Sequence, residues 1–218
     1  MKKIIKLKLL LLLLLASNFS HSQDRELKAQ RLLEEVNLKM EIYKNFQIDF
    51  KYVLVNEIEN IRQETSGKII IEKNKYILDI LGVKRIYDGN RLYTISPEDR
   101  EVTISKLNEE DENTISPSNL FNFFEEGYNY NLDIVQIKSG RKIQYIKLFP
   151  IDSESEIKYL LLGIDTKTKQ IDNLIEIGYN DTKTILSVIN FESDLSLPES
   201  NFNFDESKYN GYYINNID

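Results

Sequence analysis

The feature that most constrains this chain is a change of period. From Phe46 onward the apolar residues alternate: Phe46, Ile48, Phe50, Tyr52 and Leu54 are separated by Gln47, Asp49, Lys51 and Val53. Successive side chains of a strand point to opposite faces, so this spacing specifies a β-strand. Similar segments follow at Gly67–Glu72, Lys75–Ile80, Lys84–Tyr87, Arg91–Ile95 and Glu101–Lys106. They resume at Tyr128–Ser139, Arg141–Phe149, Ile157–Asp165, Gln170–Tyr179 and Thr184–Ser193. About eleven strands at roughly ten-residue spacing, most without helical crossovers, mean antiparallel β as a barrel or sandwich. Turn chemistry sits between them. Asp88-Gly89-Asn90 is a tight turn, because glycine adopts positive φ at little cost. Pro97-Glu98-Asp99 marks another. Several strands are apolar at nearly every position, such as Ile69-Ile70-Ile71 and Tyr159 to Leu162, which implies contact on both faces.

Two stretches break the rule. From Asp24 to Phe46, Ala29, Leu32, Leu33, Val36, Met40 and Tyr43 recur at helical spacing, with Asp24, Glu26, Glu34, Glu35 and Lys39 on the other face. This predicts one amphipathic helix with a stripe to bury. Between the two runs of strands, Ile115 to Gly127 reads as a short helix. Ser116 caps it, Pro117 suits its first position, and Gly127 its stop. Leu120, Phe121, Phe123 and Phe124 crowd barely two turns. The pattern alone leaves this segment as a permanent plug of the core or a movable lid.

The inventory of side chains excludes much chemistry. The chain has no cysteine and no tryptophan, and its single histidine is His21. Disulfides, thiol nucleophiles and Cys-held metals are therefore impossible. Ser139-Gly140-Arg141-Lys142 has the spacing of a serine–lysine pair, but it lies between two alternating strands and reads as a hairpin turn. The acidic run Glu109, Glu110, Asp111, Glu112 reads as a solvated loop. No catalytic residues, metal or cofactor are expected, and the chain is not expected to be an enzyme.

Residues 1–22 read as a signal peptide. Lys2, Lys3, Lys6 and Lys8 precede an apolar centre from Leu9 to Ala16, and Ser20 and Ser22 suit a cut after Ser22. With that cut, His21 is removed and no Ser-His-Asp triad or His-held metal is possible. The expected product, residues 23–218, is a single domain in the periplasm. The whole chain has 28 basic and 35 acidic residues; without the four leader lysines, 24 remain against 35, a net −11. Nucleic acid is a poor partner for such a surface, and a monomer is expected.

The order of these features resembles the outer-membrane lipoprotein carrier (LolA) family. The cues are the helix running into Phe46-Gln47-Ile48-Asp49-Phe50, then Gly67-Lys68-Ile69-Ile70-Ile71-Glu72-Lys73 and Asn74-Lys75-Tyr76. Next comes Ile86-Tyr87-Asp88-Gly89-Asn90-Arg91-Leu92-Tyr93, followed by Pro97 and Val102, similar to the family's aspartate-glycine stretch. Ser116-Pro117 opens the inserted helix, Leu148-Phe149-Pro150 resembles the strand that ends in proline, and Phe202-Asn203-Phe204-Asp205 resembles the terminal element. The resemblance spans essentially all of 23–218. It implies a mainly β fold with few helices: a half-open antiparallel barrel of about eleven strands with an N-terminal helix and an inserted lid.

That family carries lipoproteins from an inner-membrane release complex to the outer membrane, where a separate acceptor can take them. The resemblance thus implies acylated lipoproteins as cargo, held in an apolar cavity. Candidate lining residues are Phe50, Tyr52, Ile69, Ile71, Tyr76, Leu78, Leu132, Ile134, Tyr145, Ile175 and Ile177. Leu120, Phe121 and Phe124 become the lid. Lys73 stands where the family's best-known member has a lid-holding arginine; lysine keeps the charge but lacks the planar fork. Alternative readings are a binding protein for another amphiphile, a closed-core envelope module and, last, an enzyme.

Overall fold

The computed structural model describes residues 24–106, 123–124 and 127–217. The signal-peptide assignment, the acidic run at 109–112, and Leu120 and Phe121 of the expected lid lie outside the described residues. The first element, α1, covers residues 24–42. Twelve strands follow: β1 (Phe46–Asn56), β2 (Ile61–Glu72), β3 (Lys75–Ile80), β4 (Val83–Tyr87), β5 (Leu92–Ser96), β6 (Glu101–Ser105), β7 (Tyr128–Lys138), β8 (Arg141–Pro150), β9 (Ile157–Asp165), β10 (Ile171–Gly178), β11 (Thr182–Ser193) and β12 (Tyr213–Asn216).

All twelve form one sheet in the order β12-β6-β5-β4-β3-β2-β1-β11-β10-β9-β8-β7. The strands at its ends, β12 and β7, do not pair with each other, so the barrel stays half-open. Strands β1–β6 form one antiparallel meander and β7–β11 another. Among the described residues the two meanders join in the sheet where β1 pairs with β11, from Phe46↔Ser193 to Asn56↔Thr182. Buried asparagines clamp both ends of this seam. At one end Asn45 accepts from the Leu195 N–H (2.8 Å) and donates to the Leu195 carbonyl (3.1 Å) and Glu72 (3.3 Å). At the other, Asn56 donates to the Asn180 carbonyl (3.2 Å) and the Thr182 hydroxyl (3.3 Å).

The predicted helix is present but stops at residue 42, short of Phe46. Its last expected residues serve the seam instead: the Lys44 N–H donates to the Asp194 carboxylate, and Tyr43 packs on Phe191 with ring centroids 5.5 Å apart. The face of the sheet that receives α1 is termed the inner face. Ala29, Leu32, Leu33 and Val36 are buried there against Ile146, Leu148, Leu160, Leu162, Ile164 and Leu174 of β8–β10. Polar contacts at the rim fix the helix. Lys169 pairs with Glu35, Lys39 donates to the Thr168 carbonyl, and Arg25 donates to the Leu132 carbonyl on β7.

Two further sequence expectations shift. β2 begins at Ile61 rather than Gly67, because Arg62, Gln63 and Glu64 extend the hairpin opposite Val55, Leu54 and Val53. A twelfth strand appears, β12, which runs parallel to β6 from Tyr213↔Glu101 to Asn216↔Ile104. Between β11 and β12 the chain covers the outer face of β3–β6, burying Phe202 with Ile77, Ile86, Ile95 and Val102. There Phe204 stacks between Tyr93 (4.7 Å) and Tyr209 (5.3 Å).

The expected turns form as read. Asp88 accepts from the N–H groups of Asn90 and Arg91, both at 2.8 Å, and Gly89 has φ 97°. Ser139 and Gly140 have φ 50° and 77°, the left-handed pair of a two-residue hairpin turn between β7 and β8.

Candidate functional site

Cross-strand partners share a face, so the register identifies what lines the inner side of the open sheet. One row runs Tyr52, Leu186, Leu174, Leu162, Ile146, Leu132 from β1 through β11 to β7. The parallel row below it runs Leu54, Thr184, Glu176, Leu160, Leu148, Tyr130. On β1–β3 the same face continues with Phe46, Ile48, Phe50, Ile69, Ile71 and Tyr76, all buried. Around them Tyr52, Leu78, Ile80, Tyr87, Leu92, Leu186 and Val188 are only half-buried. The inner face thus has two parts. Over β8–β10 it is filled by α1; over β1–β5 and β11 it carries apolar and aromatic side chains that keep access to solvent.

One glycine shapes this second part. Gly67 sits directly opposite Phe50. A Cβ there would lie 2.5 Å from Phe50 Cζ and 2.9 Å from the Asp79 carbonyl oxygen. The missing side chain lets the Phe50 ring lie down on β2 and fill the floor of the groove.

The predicted lining residues divide. Phe50, Tyr52, Ile69, Ile71, Tyr76 and Leu78 lie together on the inner face of β1–β3, and Leu132 lies on the same face at β7. Tyr145, Ile175 and Ile177 are on the outer face. They pair with Gly163, Leu161 and Tyr159, one position out of step with Leu162 and Leu160. The physical reason is that β8–β10 are apolar on both sides, so alternation could not choose a parity. On the outer face Tyr145 packs over Gly163 and accepts from Asn173 Nδ2 at 3.0 Å. Ile134 falls in an irregularity of β7 between Leu132 and Val135, and its side chain is 54% exposed.

Of the lid residues, Phe124 is described. It is 2% exposed and packed with α1, Leu148 and Leu160, beside Phe123, whose ring meets Tyr128 edge-on at 5.8 Å. Lys73 lies in the exposed β2–β3 turn with φ 55°.

Sequence reasoning missed Leu160, Leu162, Leu174, Leu186 and Val188 on the inner face. It also missed Glu176, the acid set among them. Burial pushes the Glu176 carboxyl above its ordinary value. Burial likewise raises the Tyr128 phenol, helped by the negative charge of Glu176. Tyr130 is raised by burial and by Glu26 and Glu34 of α1. Elsewhere buried acids are paired: Asp172 accepts from Lys138 (2.8 Å) and Arg141 (2.6 Å) on the outer face. Among the described residues no group of acids and histidines could hold a metal ion. No described helix is long and apolar enough to cross a membrane.

No protein-family model matches the chain, and no curated protein matches it in sequence. Solved structures do. An uncharacterized conserved protein from Thermus thermophilus is 10% identical, with a TM-score of 0.59 over 87% of this chain and 99% of that one. A LolA superfamily protein from Nitrosomonas europaea is 14% identical, with a TM-score of 0.44 over 81% of this chain and 98% of that one. The lipoprotein LppX from Mycobacterium tuberculosis is 11% identical, with a TM-score of 0.46 over 78% of this chain and 99% of that one. At such identities the likeness is one of fold, and the half-open antiparallel sheet with its N-terminal helix is the architecture that the sequence led us to expect.

Proposed function

We propose that this protein is a periplasmic carrier that shields the acyl chains of lipoproteins while they pass between membranes. The observation that carries the reading is the half-buried apolar groove over β1–β5 and β11. It lies on one continuous face of a sheet that does not close. Each methylene removed from water contributes about 0.8 kcal/mol, so a sixteen-carbon chain represents on the order of 10 kcal/mol. Cargo of that kind crosses water only inside an apolar shelter. An open sheet provides one that can also release it, because one wall of the groove is never sealed by strand pairing. The acidic surface supports the same reading, since it weakens retention at an anionic bilayer. The partners would be a release complex in the inner membrane and, where one exists, an acceptor in the outer membrane.

The test is release from spheroplasts bearing labelled outer-membrane lipoprotein. Purified 23–218 is added, and the soluble fraction is resolved by size exclusion. We expect label to co-elute with the protein as a one-to-one complex. A folded protein that leaves all label on membranes, under conditions where a known carrier releases it, sinks the lipoprotein reading. Lipid extraction with mass spectrometry would then decide for or against another amphiphile.

A further inference from the structure

We propose that Glu176 is a specificity point of the groove, selecting amphiphiles whose head group presents an ammonium or other N–H donor close to the acyl chain. The inference rests on the carrier reading and narrows its ligand class. The register is the first support. Glu176 stands opposite Thr184 on one side and Leu160 on the other, on the inner face of β10. It is therefore at the border between the part filled by α1 and the part left accessible.

The second support is its isolation. Among the described residues no side chain or N–H donates to the Glu176 carboxylate. Several other acids of the sheet are paired. Asp172 has Lys138 and Arg141, Asp165 has the N–H groups of Lys167 and Thr168, and Asp49 and Glu64 have Lys68 and Lys51. Glu176 is half-buried beside a fully buried leucine, Leu160, so its carboxylate is only partly hydrated and has no partner among the described residues. Unpaired charge in an apolar cleft is a candidate functional group.

The third support is the sign of the surroundings. Glu26 and Glu34 of α1 act on Tyr130, and Glu176 acts on Tyr128, so this end of the groove is negative. Two bases of α1 are engaged elsewhere: Arg25 with the Leu132 carbonyl and Lys28 with Asp24. A cationic or N–H-bearing head group would complete the pairing that the chain itself leaves open, while its alkyl tail lies along Leu186, Tyr52 and Val188.

The experiment compares three single-chain probes of equal length, dodecylammonium, dodecanol and dodecanoate, by displacement of a fluorescent alkyl reporter at neutral pH. For the wild type we expect the ammonium to bind about ten-fold or more tighter than the alcohol, and the carboxylate weakest. Glu176→Gln should bring ammonium and alcohol to within about two-fold. Removing a solvated acid, Glu98→Gln, should change neither. A preference that survives in Glu176→Gln, or that falls equally in Glu98→Gln, overturns the assignment and points to overall charge. If the alcohol itself fails to bind the wild type, the carrier reading fails first, and the inference goes with it.

Discussion

The Phe50–Gly67 contact makes a claim that can be measured. Gly67→Ala places a methyl group 2.5 Å from Phe50 Cζ, 2.8 Å from Cε2 and 2.9 Å from the Asp79 carbonyl oxygen. The ring would have to lift by roughly 1 Å to restore contact, and it is already 5% exposed, packed among Ile48, Ile69 and Ile71. Overpacking of this kind costs about 1–3 kcal/mol, and the backbone oxygen, which cannot swing away, places this site in the upper half of that range. For a domain of this size about 2 kcal/mol lowers the melting temperature by about 4–8 °C. Phe50→Leu removes the two clashing atoms and by itself costs about 1–2 kcal/mol for lost burial. The clash and the lost burial act on the same space, so the double variant should lose at least about 1 kcal/mol less than the two single losses together. Urea unfolding of the four proteins gives the coupling directly. Additivity to within about 0.5 kcal/mol would falsify the view that Gly67 is there to seat Phe50.

Three more expectations follow from the same structure. Burial holds the Glu176 carboxyl above its ordinary value of 4.5, so the folded state keeps its proton longer than the unfolded one. Its contribution to stability is present in acid and is lost as pH rises through the folded value. Glu176→Gln should therefore gain on the wild type as pH rises from 4.5, and a urea-midpoint difference that stays flat with pH contradicts this. Asn45→Ala removes the bonds to Leu195 and Glu72 at a site 1% exposed, for an expected loss of about 2–3 kcal/mol; a loss under about 1 kcal/mol would mean the clamp is replaced by water. Phe204→Ala breaks the stack with Tyr93 and Tyr209 and should cost about 3 kcal/mol, with faster proteolysis between Leu197 and Tyr212. Unchanged cleavage would mean that β12, not the stack, anchors this segment.

How far the sequence could be read depended on contrast between faces. The stripe of Ala29, Leu32, Leu33 and Val36 has charged residues behind it, and it was legible at once. Phe46, Ile48 and Phe50 alternate with Gln47, Asp49 and Lys51, so β1 showed its inner face without ambiguity. Leu160-Leu161-Leu162 and Leu174-Ile175 carry no such contrast, because α1 covers one side and Ile143 and Tyr145 pack on the other. Parity there follows only from pairing with Leu186 and Tyr52, which no local pattern contains. β12 was hidden for another reason. It has one partner strand and a sequence, Tyr213-Ile214-Asn215-Asn216, whose asparagines look like a turn. Glu176 reads as an ordinary polar position of a strand until the register shows what it faces.

The seam between β1 and β11 also sets the order in which the chain can fold. β1 through β6 emerge first and pair with near neighbours, as do β7 through β11 among themselves. β1, however, meets its second partner only when Thr182 has arrived to face Asn56, so one edge of the N-terminal meander stays open until most of the chain is present. Loop-closure entropy makes so distant a pairing slow, and an open strand edge with Phe46, Ile48 and Phe50 beside it is sticky in the interval. The same seam that joins the two meanders in the folded sheet is thus the pairing whose delay leaves an apolar strand edge open to aggregation.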